Sequence, residues 1–353
     1  MVGNPPYGAA YPAWQRGVFR RDYAAAKTIK GTQKGSLNTY GLFIELGYNL
    51  LAKGGNLAFI VPIYITSSEA MTGVHRLILK NCHSIHLSSY AVRPKPVFEN
   101  AIVDVSILLF TKTGTPCKHL FSTKMYRRDD SSFSLQKLID NIEFVEVGDY
   151  LLEGRIPKIS YAIEKSILKK VWQFPLITEY YDANGKQIFH RTSGGRYFKV
   201  VTNYPTGSTT EKADCFKAEY ANAIGCILSS NLSFWFYQIY SDNLHWKKCE
   251  FESFRIPTLT KQQIDTLEAL YNRYLVDIEN NANTRSTSGK SSLHVSSFKE
   301  YKIVHSKHII DEIDDYLGPL YGLTAEEVDF VKNYELRFRM SGERGDGGIG
   351  GGD

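Results

Sequence analysis

The sequence predicts an α/β domain followed by a mixed region of shorter elements, and three observations carry that expectation. Between Leu37 and Thr111, patterns of helical and strand character alternate, as they do when helices cover a sheet. The run Asn56–Pro62, NLAFIVP, is apolar almost throughout, which suits a strand buried on both faces. After Lys112 the pattern breaks into short stretches with charged and polar punctuation.

Taken in order, residues 1–7 read as the end of a strand running into a Pro-Pro turn. Residues 8–36, with Gly, Ala and many basic side chains, read as a long mobile loop. Leu42, Phe43, Leu46, Leu50 and Leu51 then fall at helical spacing, and Gly54 and Gly55 stop that helix. The strand NLAFIVP ends at Pro62. A helix near Ser68–Asn81 shows Met71, Val74, Leu77 and Ile78 on one face, and strands at Ser84–Tyr90 and Ala101–Thr111 bracket the loop AVRPKPVFEN. The polar stretch TKMYRRDDSSFS reads as part of a linker over 116–144. Beyond it come a helix over Tyr161–Gln173, a hairpin in QIFHRTSGGRYFKVV turning at Gly194–Gly195, and a helical AIGCILSSNLSFWFYQIYSD. Thr260 with Gln263, and Thr324 with Glu327, are capping boxes that start two more helices. NTRSTSGKSS reads as a flexible loop within 281–297, and residues 341–353, ending GDGGIGGGD, as a disordered tail.

The chain has 353 residues with 43% hydrophobic content, enough for two domains and a small third unit. Its net charge is +5, mildly basic, which permits nucleic-acid binding without arguing for it. Five scattered cysteines with no C-x-x-C pair suggest reduced thiols and no metal site. No run approaches the ~18 apolar residues of a membrane span, and the N-terminus lacks a charged-then-apolar signal. A cytoplasmic protein with no membrane partner is expected.

Asn4, Pro5, Pro6 and Tyr7 at the end of a strand suit one chemical task. An exocyclic amine on an aromatic ring is a poor nucleophile because its lone pair is delocalised. Two acceptors that hold both amine hydrogens localise it. Asn4 supplies a side-chain carbonyl and Pro5 a backbone carbonyl. The two prolines stiffen the turn, and Tyr7 offers a face on which a base can stack. A base inside a duplex is out of reach, so such a site acts on one flipped out of the helix.

VGNPPYG, a following helix and LLAKGGNLAFIVP resemble the motifs of gamma-class adenine-specific DNA methyltransferases of restriction–modification type. The stretch PKPVFENAIVDVSILLFTK resembles that family's later motif, in which a Phe packs on the flipped base; Phe98 matches it. LSSNLSFWFYQIYSD and FESFRIP resemble a TaqI-like C-terminal specificity domain. The resemblance implies a partial Rossmann-like methyltransferase sheet over 1–115, a mixed α+β target-recognition domain over 145–280, and C-terminal helices over 298–340. It implies methyl transfer from S-adenosylmethionine to adenine in double-stranded DNA. Arg191, Arg196 and Lys199 beside the hairpin, and Lys27, Lys30 and Lys34 in the early basic segment, are candidate phosphate contacts, against the alternative of solvated surface charge.

In the resembled family a Gly-rich cofactor loop and a ribose-binding acidic residue precede Asn-Pro-Pro-Tyr; here only Met1, Val2 and Gly3 precede it. The expectation is half a catalytic domain. It would bind S-adenosylmethionine weakly or not at all alone, would leave the NLAFIVP strand as an apolar edge, and would be completed by a separate N-terminal half, by self-association, or not at all. Two other readings stay open: a non-catalytic DNA-recognition module, and a methyltransferase for protein glutamine or RNA.

Overall fold

The computed structural model describes residues 1–28, 31–32, 37–98, 101–128, 135–194, 198–286 and 297–342. The chain divides into two compact units, Met1–Lys165 with Ile239–Asp242, and Ser166–Gln238 with Asn243–Asp353. Lys30, Lys34, Gly195, Arg196, most of the 281–297 loop and nearly all of the tail lie outside the described residues.

The first unit is built on a six-stranded sheet. Its strands are β1 (Val2–Gly3), β2 (Asn56–Pro62), β3 (Ser84–Tyr90), β4 (Val105–Thr111), β5 (His119–Tyr126) and β6 (Val145–Glu146). Their spatial order is β1-β2-β4-β3-β5-β6. β1 runs parallel to β2, and β3 parallel to β5, while β4 is antiparallel to both its neighbours. Alternate residues of β2, Leu57, Phe59 and Val61, are buried.

The helices of this unit include α1 (Ala13–Asp22), α2 (Thr39–Leu50) and α3 (Thr72–Asn81). Residues 8–36 are therefore not simply a loop, because α1 and a turn at Ala24–Ala26 lie within them. The turn is fixed from α2, where the buried Glu45 carboxylate accepts from Ala24 N (3.1 Å) and Ala25 N (2.7 Å). Helix α2 forms where its leucine spacing predicts, but it buries a different face. Tyr40, Leu42 and Ile44 are buried, whereas Phe43, Leu46 and Leu50 are 38%, 39% and 68% exposed. Gly47 is the reason. A Cβ there would meet Leu57 Cδ1 at 2.6 Å, so α2 comes closest to the sheet through its smallest residue, and the neighbouring apolar stripe turns outward.

Two further expectations are corrected. The 116–144 segment is not a linker: β5 lies inside it and pairs with β3 from Ser84–His119 to Tyr90–Tyr126. Its burial pattern shows only imperfect alternation, too weak a period to stand out against the charged stretch that follows. The first unit accordingly extends to Lys165 and not to 115, and it also takes in Ile239–Asp242. Buried Lys158 holds that return segment, its Nζ donating to Ile239 O (2.8 Å) and Ser241 O (2.7 Å). The apolar edge expected at β2 is partly covered, since Val2 and Gly3 pair with Ala58 and Phe59 and the Met1 ammonium donates to Asn56 O at 2.7 Å.

In the second unit β7 (Tyr181–Arg191) pairs antiparallel with β8 (Val201–Thr202) on one side and β9 (Glu211–Phe216) on the other. The helices of this region include α4 (Ala221–Leu228), α5 (Asn231–Tyr240), α6 (Lys261–Asn280), α7 (Lys307–Leu320) and α8 (Ala325–Asn333). Both capping boxes are in place: Thr260 Oγ1 accepts from Gln263 N (3.3 Å) and Thr324 Oγ1 from Glu327 N (3.2 Å). Asp314 of α7 caps α5, accepting from Asn231 N (2.9 Å) and Leu232 N (3.0 Å). Arg339 is buried between the rings of Phe198 and Phe234, 4.3 Å from each centroid, and donates to Asn231 Oδ1 at 2.9 Å. No helix among the described residues is long and apolar enough to cross a membrane.

Acid sensitivity follows from the buried histidines. His75 of α3 donates through Nε2 to Ile65 O at 2.6 Å, and burial pushes its pKa down to about 4. Its folded value lies below its unfolded one, so the stability it contributes is present above about pH 6.5 and is lost as pH falls toward 4. The loss is on the order of 3 kcal/mol. Denaturant titrations at successive pH values are expected to show this fall, and His75→Gln, which cannot take up the proton, to flatten it.

Candidate functional site

The Asn-Pro-Pro-Tyr turn starts directly where β1 ends, at the carboxyl end of a strand paired in parallel with β2. Open α/β sheets place their ligands at such strand ends. Pro5 is buried, while Asn4 and Pro6 are exposed. Among the described residues the Asn4 carboxamide has no hydrogen-bond partner, so nothing in the fold uses it. Tyr7 is half-buried and its hydroxyl makes a long, 3.5 Å contact to Ile60 O. Burial raises the Tyr7 pKa, so its ring stays neutral.

Tyr7 and Phe98 share one packing cluster, although 91 positions separate them (98 − 7). Both pack on one cluster of buried residues, Tyr90, Val105 and Leu138, joined by Ile107, Tyr126 and Ile142. The loop carrying Phe98 is tied down at both ends. Ala91 N donates to Tyr126 O (2.8 Å), Val92 N to Asp104 Oδ1 (2.5 Å) and Ile63 N to Asp104 O (2.9 Å). Lys95 N donates to Arg128 O at 3.1 Å. Tyr126 is a member that the sequence reading missed. Its ring stands 6.2 Å from that of Tyr90 and its hydroxyl accepts from Glu143 N at 2.9 Å. Its only sequence signal was the weak alternation of β5.

Of the candidate phosphate contacts, the described ones turn inward. Lys27 Nζ donates to the carbonyls of Arg20 and Arg21, closing the carboxyl end of α1. Lys199 is buried and donates to Gly194 O (2.9 Å) and Leu244 O (3.3 Å), 4.1 Å from the Tyr237 ring centroid. Arg191 donates to Lys299 O (2.8 Å) and faces the Tyr301 ring. In the described structure these side chains hold local backbone. Helix α1 buries none of its residues and presents Trp14, 69% exposed, on the same helix as Arg16, Arg20 and Arg21.

Neither described Gly-rich turn forms a cradle for S-adenosylmethionine. Gly54 and Gly55 close the turn between α2 and β2, with Gly54 at φ 83° and open space around it and the Gly55 Cβ position 2.9 Å from Ala52 O. Gly194 likewise faces open space. These are turn glycines, and none forms a cradle after a parallel strand.

Comparison with known proteins places this site in context. Residues 1–98 match the Eco57I restriction-modification methylase family. Over 67 residues the chain is 42% identical to the Type II methyltransferase M.TthHB8I of Thermus thermophilus, a stretch that is 18% of this chain and 15% of that protein. Among solved structures, the Type IIL restriction-modification enzyme MmeI in complex with DNA is similar at 11% identity and TM-score 0.48, covering 96% of this chain and 57% of that one. A nuclease-deletion mutant of the Type ISP enzyme LlaGI with a DNA substrate mimic is similar at 11% identity and TM-score 0.41, covering 85% and 38%. The matched regions thus span less than two thirds of each of these proteins, and 15% of the curated relative.

Proposed function

We propose that this chain is the substrate-facing part of a site-specific DNA methyltransferase of a restriction–modification system, acting on the exocyclic amine of adenine in double-stranded DNA. The observation that carries it is the exposed, otherwise unused Asn4 carboxamide at the carboxyl end of β1, beside a cluster on which Tyr7 and Phe98 converge. The match of residues 1–98 to a restriction-modification methylase family supports it.

In this reading the Asn4 Oδ1 and the Pro5 carbonyl accept the two amine hydrogens of a flipped adenine. The lone pair is thereby held out of conjugation and directed at the methyl donor. Tyr7 and Phe98 stack on the ring, each contact worth about 1–3 kcal/mol. S-adenosylmethionine, when bound, supplies the methyl group. The reading places its pocket outside the described residues, in a separate half of the catalytic domain or a second copy, so these residues alone are expected not to methylate DNA. The second unit is the proposed target-recognition region. The runner-up is a recognition module without catalysis.

Selection from a randomised duplex pool tests the reading. The chain is expected to enrich one short sequence. 2-Aminopurine in place of one adenine of that sequence is then expected to brighten on binding as it leaves the stack, with weaker binding in Tyr7→Ala. A pool that returns no enriched sequence would count against it.

A further inference from the structure

In the second unit, β7 and β9 bring His190, Lys212 and Asp214 to one face of their sheet. His190 stands directly across from Lys212, and Ile188 across from Asp214. The segment 245–251 closes over that face, with Trp246 N donating to Thr192 O at 2.9 Å. The result is a cleft of about 270 Å³ lined by these side chains and by His245, Lys247 and Lys248. It lies just below the roughly 300–1,000 Å³ of pockets that hold drug-sized ligands, so it admits a small group. Its floor is apolar and aromatic. The His190 ring stacks on Phe251 with centroids 4.2 Å apart and meets Trp246 edge-on at 5.4 Å.

Two features point to an anion. The lining carries three lysines against one carboxylate, Asp214; Lys248 also pairs with Glu252 at 3.3 Å. His190 is only 4% exposed, yet its Nδ1 has no hydrogen-bond partner among the described residues. The nearest carboxylate oxygen, Asp214 Oδ2, lies 3.6 Å away, beyond hydrogen-bond range. A buried ring nitrogen without a partner costs about 1–3 kcal/mol, and because His190 lines the cleft, a small turn of its ring toward a ligand oxygen there would relieve that cost. Burial together with Lys212 and Lys199 holds the imidazole neutral, so it offers one N–H and no added charge.

We infer that this cleft binds a phosphate group, with His190 Nδ1–H on its floor and Lys212, Lys247 and Lys248 at its rim as donors. The site stands on its own geometry; that its phosphate belongs to a DNA backbone rests on the function proposed above.

Lysine acetylation of the full chain, read residue by residue by mass spectrometry, tests it in two arms. With duplex DNA bound, modification of Lys212, Lys247 and Lys248 is expected to slow several-fold. Lys261, on α6 and paired with Asp265 at 2.7 Å, is expected to be unaffected. The double variant Lys212→Gln/Lys248→Gln is expected to reduce the salt dependence of DNA binding by about 2 in slope. In the second arm inorganic phosphate replaces DNA. Protection by phosphate but not by bound DNA keeps the site and assigns it to a free phosphate or nucleotide. If the chain binds no DNA, the proposed function fails and the phosphate arm alone decides the cleft. Lysines that react equally fast with and without either probe overturn the inference.

Discussion

Asn4→Ala is expected to lower methyl transfer by the complete enzyme roughly 10²–10³-fold, or about 3–4 kcal/mol, the usual cost of deleting one preorganised polar contact to a reacting centre. Stability should barely change, because Asn4 is exposed and no other described residue depends on its side chain. DNA binding should also persist, since Tyr7, Phe98 and the second unit are untouched. The loss should therefore fall on turnover at saturating DNA and not on KM, as expected when the missing interaction matters most in the transition state. Single-turnover kinetics on a defined duplex make that separation. A loss confined to KM would recast Asn4 as a binding group.

Gly73→Ala is expected to give the largest structural effect. Gly73 of α3 lies against the turn that follows the Asn-Pro-Pro-Tyr segment. A Cβ there would sit 2.0 Å from Ala24 O and 2.8 Å from Lys27 O. Both obstacles are backbone, and the Glu45 carboxylate pins the same turn from α2, so neither side yields easily. Overpacking of this kind costs about 1–3 kcal/mol or more, and the upper end is expected here. Thermal or denaturant unfolding measures it. Because the displaced turn connects through α1 to the motif, the variant should also weaken activity where Asn4→Ala leaves stability intact. An unchanged midpoint would mean that α3 and the turn are not so closely packed.

Legibility in the sequence followed the strength of each local signal. NLAFIVP was readable as β2 because nothing except a buried strand explains seven such residues between a Gly-Gly turn and a proline-ended run. The capping boxes at Thr260 and Thr324 were readable because the motif is itself the mechanism. Helix α2 was readable as a helix but not in orientation, since a glycine, not a leucine, faces the sheet. Helix α1 was obscured by its composition, AWQRGVFRRD, which has no apolar stripe to bury. At the site, the Asn-Pro-Pro-Tyr turn was legible as a turn at a strand end, whereas Tyr126 and the cleft around His190 depend on pairings between distant segments. Lys199 shows the converse: a lysine flanking a predicted hairpin looks exposed until Gly194 O, Leu244 O and the Tyr237 ring are seen to enclose it.

The three readings part at one chemical outcome. A recognition module binds DNA and leaves it unmodified, and a glutamine or RNA enzyme modifies something else. The most direct test is nucleoside mass spectrometry of duplex DNA treated with this chain, S-adenosylmethionine and a separately supplied methyltransferase half that carries a cofactor loop. The expected product is N6-methyldeoxyadenosine, formed with the native chain and lost in Asn4→Ala. Methylation that persists at the same level in Asn4→Ala, or that falls on cytosine carbon, would contradict the assignment of Asn4 and Pro5 as the grip on an adenine amine.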